Sequence, residues 1–481
     1  MSIFREYDIR GIWEKELNQS VVTRIGEELG LEILKRGGKS VAVGYDARTH
    51  SPILFKWLCA GLSKRWNLAE IKGDSNNLAE SQHLQIYDIG MIPTPVAYFS
   101  LYLKENPADS SIMITGSHNP PEYNGFKITI LKKPFYGEDI RKLGEKITKD
   151  SAYEAKSDEP RITPLNALAQ YKDFLINHFK HLRNFPYKVA FDCGNGVAGL
   201  ALESVLKALN IPHLPLFFTP DGTFPNHHPD PSENKNLLDL KNAMKQNDIK
   251  IGIAFDGDAD RIGLLTQNYQ FGGDELAILF AKQMQKEGIK PLVIGEVKCS
   301  AVMYSEINKF GKTIMYKTGH SNLKVKLSET NAQIAAEMSG HIFFNDRYFG
   351  YDDAIYASLR ALELFLENSV ESVESFIKSL PKMFSTSEEK IESSEEAKFK
   401  IIANLAKKLQ NPPQDFPKIL DIIQIDGIRV VFENGWGLIR ASNTTPVLVT
   451  RFEASSEDLA LCYKQKMLSL LKECGGDDDN A

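Results

Sequence analysis

Short apolar runs alternate with longer amphipathic segments through roughly the first three quarters of the chain. Three of the runs are Val41–Tyr45, Lys188–Asp192 and Leu292–Gly295, and a polar or glycine-rich turn follows each one. Runs of this length suit buried strands, and their alternation with helix-length segments favours βαβ units and largely parallel sheets. We therefore predict that the three runs are corresponding strands of three successive α/β domains.

The pattern changes in the last quarter of the chain. Two apolar runs flank Asn434-Gly435, and an Asn-Gly pair between apolar runs predicts a β-hairpin. A further strand is predicted at Val447–Phe452, followed by a helix over Glu457–Cys474. These elements together predict a smaller α+β domain.

Polar segments that contain Pro or Gly divide the chain. The first is 151–164, the second is 268–273, and the third lies near Ser379–Pro381. Linkers of this composition typically separate domains. We expect four domains at residues 1–158, 159–267, 268–380 and 381–474, followed by an acidic flexible tail at 475–481.

Composition excludes several classes of protein. The 481 residues carry a formal net charge of −6, which gives no basic surface for nucleic acid. We expect no membrane span, because no apolar stretch is long enough, and no signal peptide, because the first residues lack an apolar core. The five cysteines are scattered without Cys-x-x-Cys spacing, so we expect reduced thiols in a cytoplasmic protein.

Two apolar runs open into loops whose side chains suggest chemistry. Ser111–Ile114 leads into Thr115–Pro120, and Ile251–Phe255 leads into Asp256–Arg261. Open α/β sheets place ligands at the carboxyl ends of their strands. A hydroxyl near three carboxylates fits phosphoryl transfer assisted by a hard divalent cation. The predicted metal ligands are Ser117, Asp256, Asp258 and Asp260.

Other interpretations account for less of the sequence. An EF-hand would need glycine at Arg261 and glutamate at Gln267, so the aspartate loop does not fit that calcium site. A serine hydrolase would need glycine at Asn119. An ordinary turn serine at 117 and a solvated acidic turn stay open, although three buried aspartates would repel one another without a cation.

A complete Gly-x-Gly-x-x-Gly pattern supports a rival function. Gly194, Gly196 and Gly199 follow a predicted strand, precede a predicted helix and are trailed by Asp221. This fingerprint is typical of a dinucleotide-binding turn, which would make the chain an oxidoreductase acting on a sugar phosphate. We favour a tight turn with close packing, because the rival leaves Ser117 and the aspartate loop unused.

Two further motifs place polar side chains in turns. Glu337–His341 follows the apolar run at 332–336, and its carboxylate and hydroxyl suit the recognition of adjacent sugar hydroxyls. Arg440–Pro446 offers a guanidinium, hydroxyls, an amide and backbone N–H groups without one acid. Such a loop predicts a phosphate site, and it differs from a Walker loop, whose sequence does not occur in the chain.

The four loops, taken in order, resemble the four motifs of the α-D-phosphohexomutase superfamily, and the resemblance covers nearly the whole chain. Within the superfamily the chain is most similar to the bacterial phosphomannomutase/phosphoglucomutase branch, since Met338 stands where phosphoglucosamine mutases tend to carry Gln. The resemblance implies three related α/β domains with mixed, largely parallel sheets and a smaller C-terminal α+β domain, around a central cleft.

The resemblance also implies a reaction. Phosphate carried on Ser117 passes to a mannose or glucose phosphate, and hexose 1,6-bisphosphate forms as the intermediate and activator. Mg²⁺ is the implied cofactor, a hexose phosphate is the implied partner, and a monomer is implied with a dimer left open. A phosphoglucosamine mutase and a non-catalytic sugar-phosphate-binding protein remain as alternatives.

Individual residues take roles by the same resemblance. Either Lys127 or His341 is expected to be the general base. The residues implied to be catalytic are Ser117, His118, Lys127, Arg10 and His341. The residues implied to bind substrate are Tyr7, Arg261, Lys298, Gly319, His320, Glu337, Ser339, Arg440, Ser442, Asn443 and Thr444.

Overall fold

The structure, a computed structural model, describes residues 3–72, 81–105, 107–149, 160–443 and 445–475. Its contacts divide the chain into two compact units. The first unit comprises residues 1–273 and 339–370, and the second comprises 274–338 and 371–481. Most of the predicted first boundary and all but the first residue of the predicted acidic tail lie outside the described residues.

The first sheet has the strand order β1-β7-β6-β2-β5-β9, with β8 paired to β7. Strand β2 pairs in parallel with both β5 and β6, and β6 pairs antiparallel with β7. The strands of this sheet are β1 (Ile9–Ile12), β2 (Ser40–Tyr45), β5 (Gln85–Met91), β6 (Ser110–Ile114), β7 (Tyr123–Ile130), β8 (Lys133–Pro134) and β9 (Ile162–Pro164). Two short strands, β3 (Trp66–Asn67) and β4 (Ser81–Gln82), pair with each other in a separate sheet. The helices of this part are α1 (Gln19–Lys35), α2 (Ser51–Leu62), α3 (Leu68–Lys72), α4 (Thr94–Phe99) and α5 (Glu138–Lys149).

Two helices of the first unit approach very closely because small residues face each other. A side chain at Gly61 of α2 would lie 1.9 Å from the backbone oxygen of Thr23 in α1, so only glycine fits there. The strands beside these helices are apolar, and Val41, Val43 and Ile112 are fully buried with them in one core. Burying such side chains is the main favourable contribution to folding.

The second sheet has the order β11-β10-β12-β13-β14. Strand β10 pairs in parallel with β11 and β12, and β12 pairs antiparallel with β13. This sheet repeats the arrangement around β2, as the sequence pattern predicted. Its elements are α6 (Ala167–His178), β10 (Val189–Asp192), α7 (Gly199–Ala208), β11 (His213–Leu216), α8 (Leu238–Gln246), β12 (Ile251–Phe255), β13 (Ile262–Thr266) and β14 (Gln270–Phe271).

A third parallel arrangement surrounds β15, which pairs with β16 and β17. The three strands that we predicted to correspond therefore occupy equivalent places, each between two parallel neighbours. The elements are α9 (Gly273–Lys286), β15 (Leu292–Glu296), α10 (Ala301–Ile307), β16 (Lys312–Tyr316), α11 (His320–Thr330), β17 (Ile334–Ala336), β18 (Ile342–Phe344) and α12 (Ala354–Glu367). Of these, β18 and α12 belong to the first unit.

The last sheet is antiparallel, with the order β19-β24-β23-β22-β21 and β20 paired to β24. The predicted hairpin is confirmed, since Phe432 pairs with Gly435 on either side of a two-residue turn, Glu433-Asn434. One face packs on α14 and α15 around Phe452 and Met467. The elements are α13 (Val370–Lys378), β19 (Phe384–Ser385), β20 (Glu389–Glu392), α14 (Ala397–Lys408), β21 (Ile419–Ile423), β22 (Ile428–Phe432), β23 (Gly435–Ala441), β24 (Val447–Ala454) and α15 (Glu457–Gly475).

The observed classes of sheet confirm the predicted fold class, three α/β domains and a C-terminal α+β domain. The predicted domain boundaries at 158, 267 and 380 stay predictions. Among the residues that the structure describes, the helices are either too short or too polar to span a membrane.

Candidate active site

Ser117 lies in the loop that follows β6, in a strained backbone conformation. Its φ is 47°, in the left-handed region that residues other than glycine rarely adopt, at a cost of about 1–3 kcal/mol. Its buried hydroxyl donates a hydrogen bond to Asp256 Oδ2 at 3.0 Å. The same oxygen lies 3.2 Å from Nδ1 of His118. A hydroxyl held in this way between a carboxylate and an imidazole is a candidate nucleophile.

Asp256, Asp258 and Asp260 form one cluster at the carboxyl end of β12. Each is fully buried, and one carboxylate oxygen from each lies within 4.8 Å of the others. The loop turns sharply at Ala259, whose φ is 64°. Asp256 Oδ1 accepts the backbone N–H groups of Asp260 at 3.0 Å and Arg261 at 3.1 Å, so the loop is folded around its first carboxylate.

Lys127 of β7 balances part of this negative charge. Its buried ammonium donates to Asp258 Oδ2 at 2.6 Å and also pairs with Asp260. Burial disfavours the ammonium, but attraction by the two aspartates outweighs burial and raises the pKa of Lys127. Burial also opposes ionisation of Asp258, yet Lys127 and a hydrogen bond from Thr94 lower its pKa. Burial and repulsion by the other two aspartates raise the pKa of Asp256 well above its usual range.

The aspartate cluster fits a hard divalent metal ion. Asp258 Oδ1 and Asp260 Oδ1 are buried and accept no hydrogen bond from any residue that the structure describes. Such an oxygen is costly to bury unless a cation or a donor reaches it. Because all the donors are oxygen atoms, the cluster suits Mg²⁺-like or Ca²⁺-like ions better than metals that prefer sulfur or nitrogen.

His341 lies beside this cluster, in the turn before β18. Its Nδ1 is 3.1 Å from Asp352 Oδ2 and 3.6 Å from Asp260 Oδ1, and Arg261 Nε donates to its Nε2 at 2.9 Å. Since Nε2 accepts a hydrogen bond, we assign the ring proton to Nδ1, which faces the carboxylates. Sequence reasoning missed Asp352. Its only sequence signal is the pair Asp352-Asp353 at the start of α12, where Asp353 caps the helix.

Arg10 and His118 both contact the serine loop. Arg10 of β1 donates to the backbone oxygen of Gly116 at 3.1 Å. Burial, together with repulsion by Arg261 and Arg10, lowers the pKa of His118 well below its usual range. At neutral pH this shift favours the neutral form of the imidazole that faces Ser117.

The Gly-x-Gly-x-x-Gly turn packs against the aspartate loop. A side chain at Gly196 would lie 2.6 Å from the backbone oxygen of Gly257, and one at Gly199 would lie 2.3 Å from that of Phe218. The N–H of Val197 also donates to Gly257 O at 3.1 Å. Close packing accounts for two of the three glycines, which supports the tight-turn interpretation over the dinucleotide site.

In the second unit, Glu337 is buried directly after β17 and holds the start of α11. Its Oε1 accepts the N–H of Gly319 at 2.6 Å, and Gly319 has a φ of 113°. His320 is the first residue of that helix. The predicted residues Gly319, His320 and Glu337 thus belong to one local arrangement. Ser339 belongs to the first unit, where it is partly exposed.

Lys298, which follows β15, is held among carboxylates of the second unit. Its Nζ lies 3.3 Å from Glu388 Oε2 and 3.7 Å from Glu296 Oε1. Burial disfavours its charge, but the two glutamates outweigh burial and raise the pKa of Lys298. Glu296 in turn accepts the N–H of Met338 at 3.0 Å, so Lys298 and the backbone of the turn at 337–341 share one buried carboxylate.

The predicted phosphate loop follows β23. Arg440 Nε and Nη2 donate to the two carboxylate oxygens of Asp426 at 3.1 and 3.2 Å. Ser442 Oγ lies 2.9 Å from Thr445 Oγ1. Lys398, a buried residue of α14, donates to the backbone oxygens of Ser442 at 2.7 Å and Thr445 at 3.2 Å. Sequence reasoning missed Lys398, because a lysine on an amphipathic helix carries no signal that it reaches a loop 44 positions away.

Three predicted substrate residues remain. Tyr7 and Asn443 are partly exposed, the first in the first unit and the second in the second unit. Thr444 lies outside the described residues. Their roles stay predictions.

Four family domains match the chain in order. They are described as phosphoglucomutase/phosphomannomutase alpha/beta/alpha domains I, II and III and the C-terminal domain of the same enzymes. The matched residues are 1–66 with 69–154, then 169–272, 272–384 and 389–469.

Similar proteins agree with this assignment. A phosphomannomutase/phosphoglucomutase from Pseudomonas aeruginosa is 40% identical over 464 residues, which cover 95% of this chain and 92% of the relative. A phosphoglucomutase from Neisseria meningitidis is 38% identical over 458 residues, which cover 95% and 93%. The crystal structure of a phosphoglucomutase/phosphomannomutase family protein from Burkholderia thailandensis shares 36% identity at a TM-score of 0.85, covering 99% of this chain and 98% of that one. The chain therefore belongs to the phosphoglucomutase/phosphomannomutase family of hexose-phosphate mutases.

Proposed function

We propose that the chain interconverts the 1-phosphates and 6-phosphates of mannose and glucose through a phosphate carried on Ser117. One observation carries the proposal: the hydroxyl of Ser117 lies 3.0 Å from Asp256, inside a buried cluster of carboxylates suited to a cation. Names of relatives at 38–40% identity include both phosphomannomutase and phosphoglucomutase, which supports activity on both sugars.

In the proposed reaction, the free hydroxyl of the sugar phosphate attacks the phosphorus of phosphorylated Ser117. A bond forms between the sugar oxygen and phosphorus, the bond from phosphorus to Ser117 Oγ breaks, and the hydroxyl proton passes to a base. The product, hexose 1,6-bisphosphate, then returns its other phosphate to the serine in the reverse sense. Positioning and charge stabilisation supply most of the catalysis in such transfers.

Lys127 and His341 are the two candidates for moving the proton, and their surroundings differ. Two aspartates hold Lys127 as a cation, which suits the donation of a proton or the neutralisation of phosphate. His341 has its Nε2 occupied by Arg261 and its Nδ1 directed to Asp352, so it would act as the base only after Arg261 turns toward substrate. Both residues stay candidates for this proton transfer.

Asp256, Asp258, Asp260 and an oxygen of Ser117 or its phosphate would hold Mg²⁺. When bound, such an ion spreads the negative charge of the transferring phosphoryl group. The buried Asp258 and Asp260 oxygens that lack donors among the described residues support this assignment. Hexose 1,6-bisphosphate is the proposed activator, because it can phosphorylate Ser117.

We propose that Glu337 and Ser339 bind adjacent sugar hydroxyls, and that Arg440, Ser442 and Asn443 bind the phosphate that is not being transferred. Three features of the second unit support this division. Glu337 is a buried acceptor, Arg440 is a fixed cation, and Lys398 anchors the loop that contains Ser442. Contacts to hydroxyls other than the one at C2 would accept mannose and glucose alike.

A coupled assay tests the function. Purified full-length protein is given mannose 1-phosphate, glucose 1-phosphate or glucosamine 1-phosphate, with Mg²⁺ and a trace of glucose 1,6-bisphosphate. We expect turnover of the first two at comparable kcat/KM and at least tenfold less of the third. A preference for glucosamine 1-phosphate would replace the proposal with a phosphoglucosamine mutase, and no turnover of any sugar would reject it.

We also propose that the protein is a monomer in the cytoplasm. The five cysteines are free thiols, and four of them are buried, which suits a reducing compartment. Light scattering on the purified chain would test the oligomeric state.

A further inference from the structure

The phosphoserine loop, residues 115–120, is held through its backbone carbonyls. Arg48 Nη2 donates to Ser117 O at 2.9 Å and to Asn119 O at 2.6 Å, and its Nη1 donates to Pro120 O at 2.6 Å. One side chain thus binds three carbonyls within four residues. Arg10 binds Gly116 O, and an imidazole nitrogen of His228 lies in hydrogen-bond contact with His118 O. All five successive carbonyls from 116 to 120 therefore contact a nitrogen of an Arg or His side chain.

Arg48 is the centre of this arrangement and has little freedom to move. Its side chain is fully buried, and its Nε lies 3.3 Å from Asp46 Oδ2. The same Asp46 oxygen accepts the N–H of Gly116 at 3.1 Å. Asp46 and Arg48 together therefore hold the loop by one N–H group and three carbonyls. A side chain at Gly116 would lie 2.3 Å from the guanidinium carbon, so the loop approaches Arg48 as closely as glycine permits.

The contact to Ser117 bears directly on the nucleophile. Ser117 adopts a left-handed φ of 47°, a conformation that persists only where surrounding contacts enforce it. Arg48 binds the carbonyl of Ser117 itself and those of Asn119 and Pro120, which follow it in the chain. This conformation is the one in which Ser117 Oγ reaches Asp256 at 3.0 Å.

We propose that Arg48 is a positioning residue for phosphoryl transfer, which holds the phosphoserine loop so that Ser117 Oγ stays beside the aspartate cluster. The inference rests on the proposed function, in which Ser117 carries the phosphate. A lysine could not replace Arg48 fully. Its single nitrogen cannot span carbonyls that two separate guanidinium nitrogens bind in a planar arrangement.

The test compares Arg48→Met and Arg48→Lys with a matched control, Arg36→Met, in the full-length protein. Arg36 is an arginine of the same domain that pairs with Glu32 and Asp139 at the surface. We measure kcat and KM for glucose 1-phosphate, and the rate at which glucose 1,6-bisphosphate phosphorylates Ser117, by intact-protein mass spectrometry.

We expect kcat of Arg48→Met to fall about 100-fold, because misplacing a reacting atom by about 1 Å costs about that much. KM should change less than about threefold, since Arg48 touches no substrate-binding side chain named above. Phosphorylation of Ser117 should slow in parallel. Arg48→Lys should lie between Arg48→Met and wild type, and Arg36→Met should match wild type.

A second variant separates positioning from loss of stability. Gly116→Ala keeps Arg48 but forces the guanidinium away from the loop, so it should lower kcat without removing a charge. Circular dichroism and thermal unfolding define the folded fraction of each variant. If Arg48→Met does not fold, the decision rests on Arg48→Lys and Gly116→Ala.

Two kinds of failure are distinguishable. If wild type is phosphorylated at Ser117 but the folded Arg48 and Gly116 variants turn over like Arg36→Met, the positioning role is wrong and the proposed function stands. The positioning role is also wrong if the activity lost by each variant equals its unfolded fraction. If wild type takes no phosphate at Ser117, or Ser117→Ala keeps its turnover, both proposals are wrong.

Discussion

The hydroxyl of Ser117 and the carboxylate of Asp256 lie 3.0 Å apart, although 139 positions separate them along the chain. Each residue follows a buried strand, β6 for the serine and β12 for the aspartate. In the proposed reaction neither loop alone is sufficient, because one would supply the nucleophile and the other the ligands for a cation. The predictions below test this division of tasks and the loops that serve it.

Replacing Ser117 by alanine should remove nearly all turnover, about 10⁴-fold or more, because no other hydroxyl takes over the covalent step. Substrate binding and folding should persist. Mass spectrometry should find one labile phosphate on wild type and none on the variant. Ser204→Ala is the matched control, since that hydroxyl donates to Ala201 O of its own helix, α7. Near-normal activity of Ser117→Ala would exclude the phosphoserine mechanism.

Asp256→Asn should weaken metal binding and lower kcat by about 100-fold, because an amide oxygen cannot balance a divalent cation as a carboxylate does. Calorimetry with Mg²⁺ measures the binding separately from activity. EDTA should abolish turnover of wild type, and Mg²⁺ should restore it. Asp239→Asn, at an exposed site on α8, should change neither quantity. Full activity after exhaustive chelation would contradict an essential metal.

Arg440→Lys keeps the charge but loses the fork that bonds both oxygens of Asp426. We expect KM for glucose 1-phosphate to rise about tenfold, with phosphorylation of Ser117 by bisphosphate still occurring. Arg451→Lys, on the neighbouring strand β24, serves as the control. An unchanged KM would remove Arg440 from the phosphate site.

Lys398→Met should also raise KM, by about tenfold, because two carbonyls of the phosphate loop lose their donor. The control is Lys408→Met on the same helix, where the lysine pairs with Glu473 at the surface. Steady-state kinetics on both variants measure the two KM values. Equal KM values for the two variants would show that Lys398 does not shape the loop.

Asp353 should make stability depend on pH between about 4 and 6. Burial raises its pKa from 3.8 to about 6, despite hydrogen bonds from Tyr348 and Tyr171 that favour the charged form. A raised carboxyl pKa means that the folded state binds the proton more tightly than the unfolded state. Protonated Asp353 therefore contributes its full stabilisation below pH 3.8, and this stabilisation is lost as the pH rises through 6.

The measurement is urea unfolding of wild type and Asp353→Asn at pH 5 and pH 7. Between pH 5 and pH 7 the free energy of unfolding of wild type should fall by about 1 kcal/mol more than that of the variant, because the asparagine cannot ionise. Asp173→Asn, at an exposed site on α6, should follow wild type. A pH dependence that is the same in wild type and Asp353→Asn would show that Asp353 keeps an ordinary pKa.

Local patterns in the sequence were enough to predict the fold class and to supply candidate residues for the site. Apolar runs marked the strands β2, β10 and β15, and the Asn434-Gly435 pair marked a hairpin, because both signals depend on neighbours in the chain. The alternating aspartates at 256–260 likewise predicted a cation site, since one short loop keeps three carboxylates near one another, and in the structure their oxygens lie within 4.8 Å.

Only the tertiary structure decided which distant groups hold these loops. Arg48, Lys398 and Asp352 each reach a loop from another part of the chain, and each contact requires strands and helices to pack first. Nothing in the composition near Arg48 distinguishes a buried clamp from a surface charge. Arg48 is buried, so its N–H groups cannot bond water and donate instead to the backbone carbonyls that pack beside them. The sequence therefore predicted candidate residues for the reaction, whereas the side chains that hold their loops could be identified only from the structure.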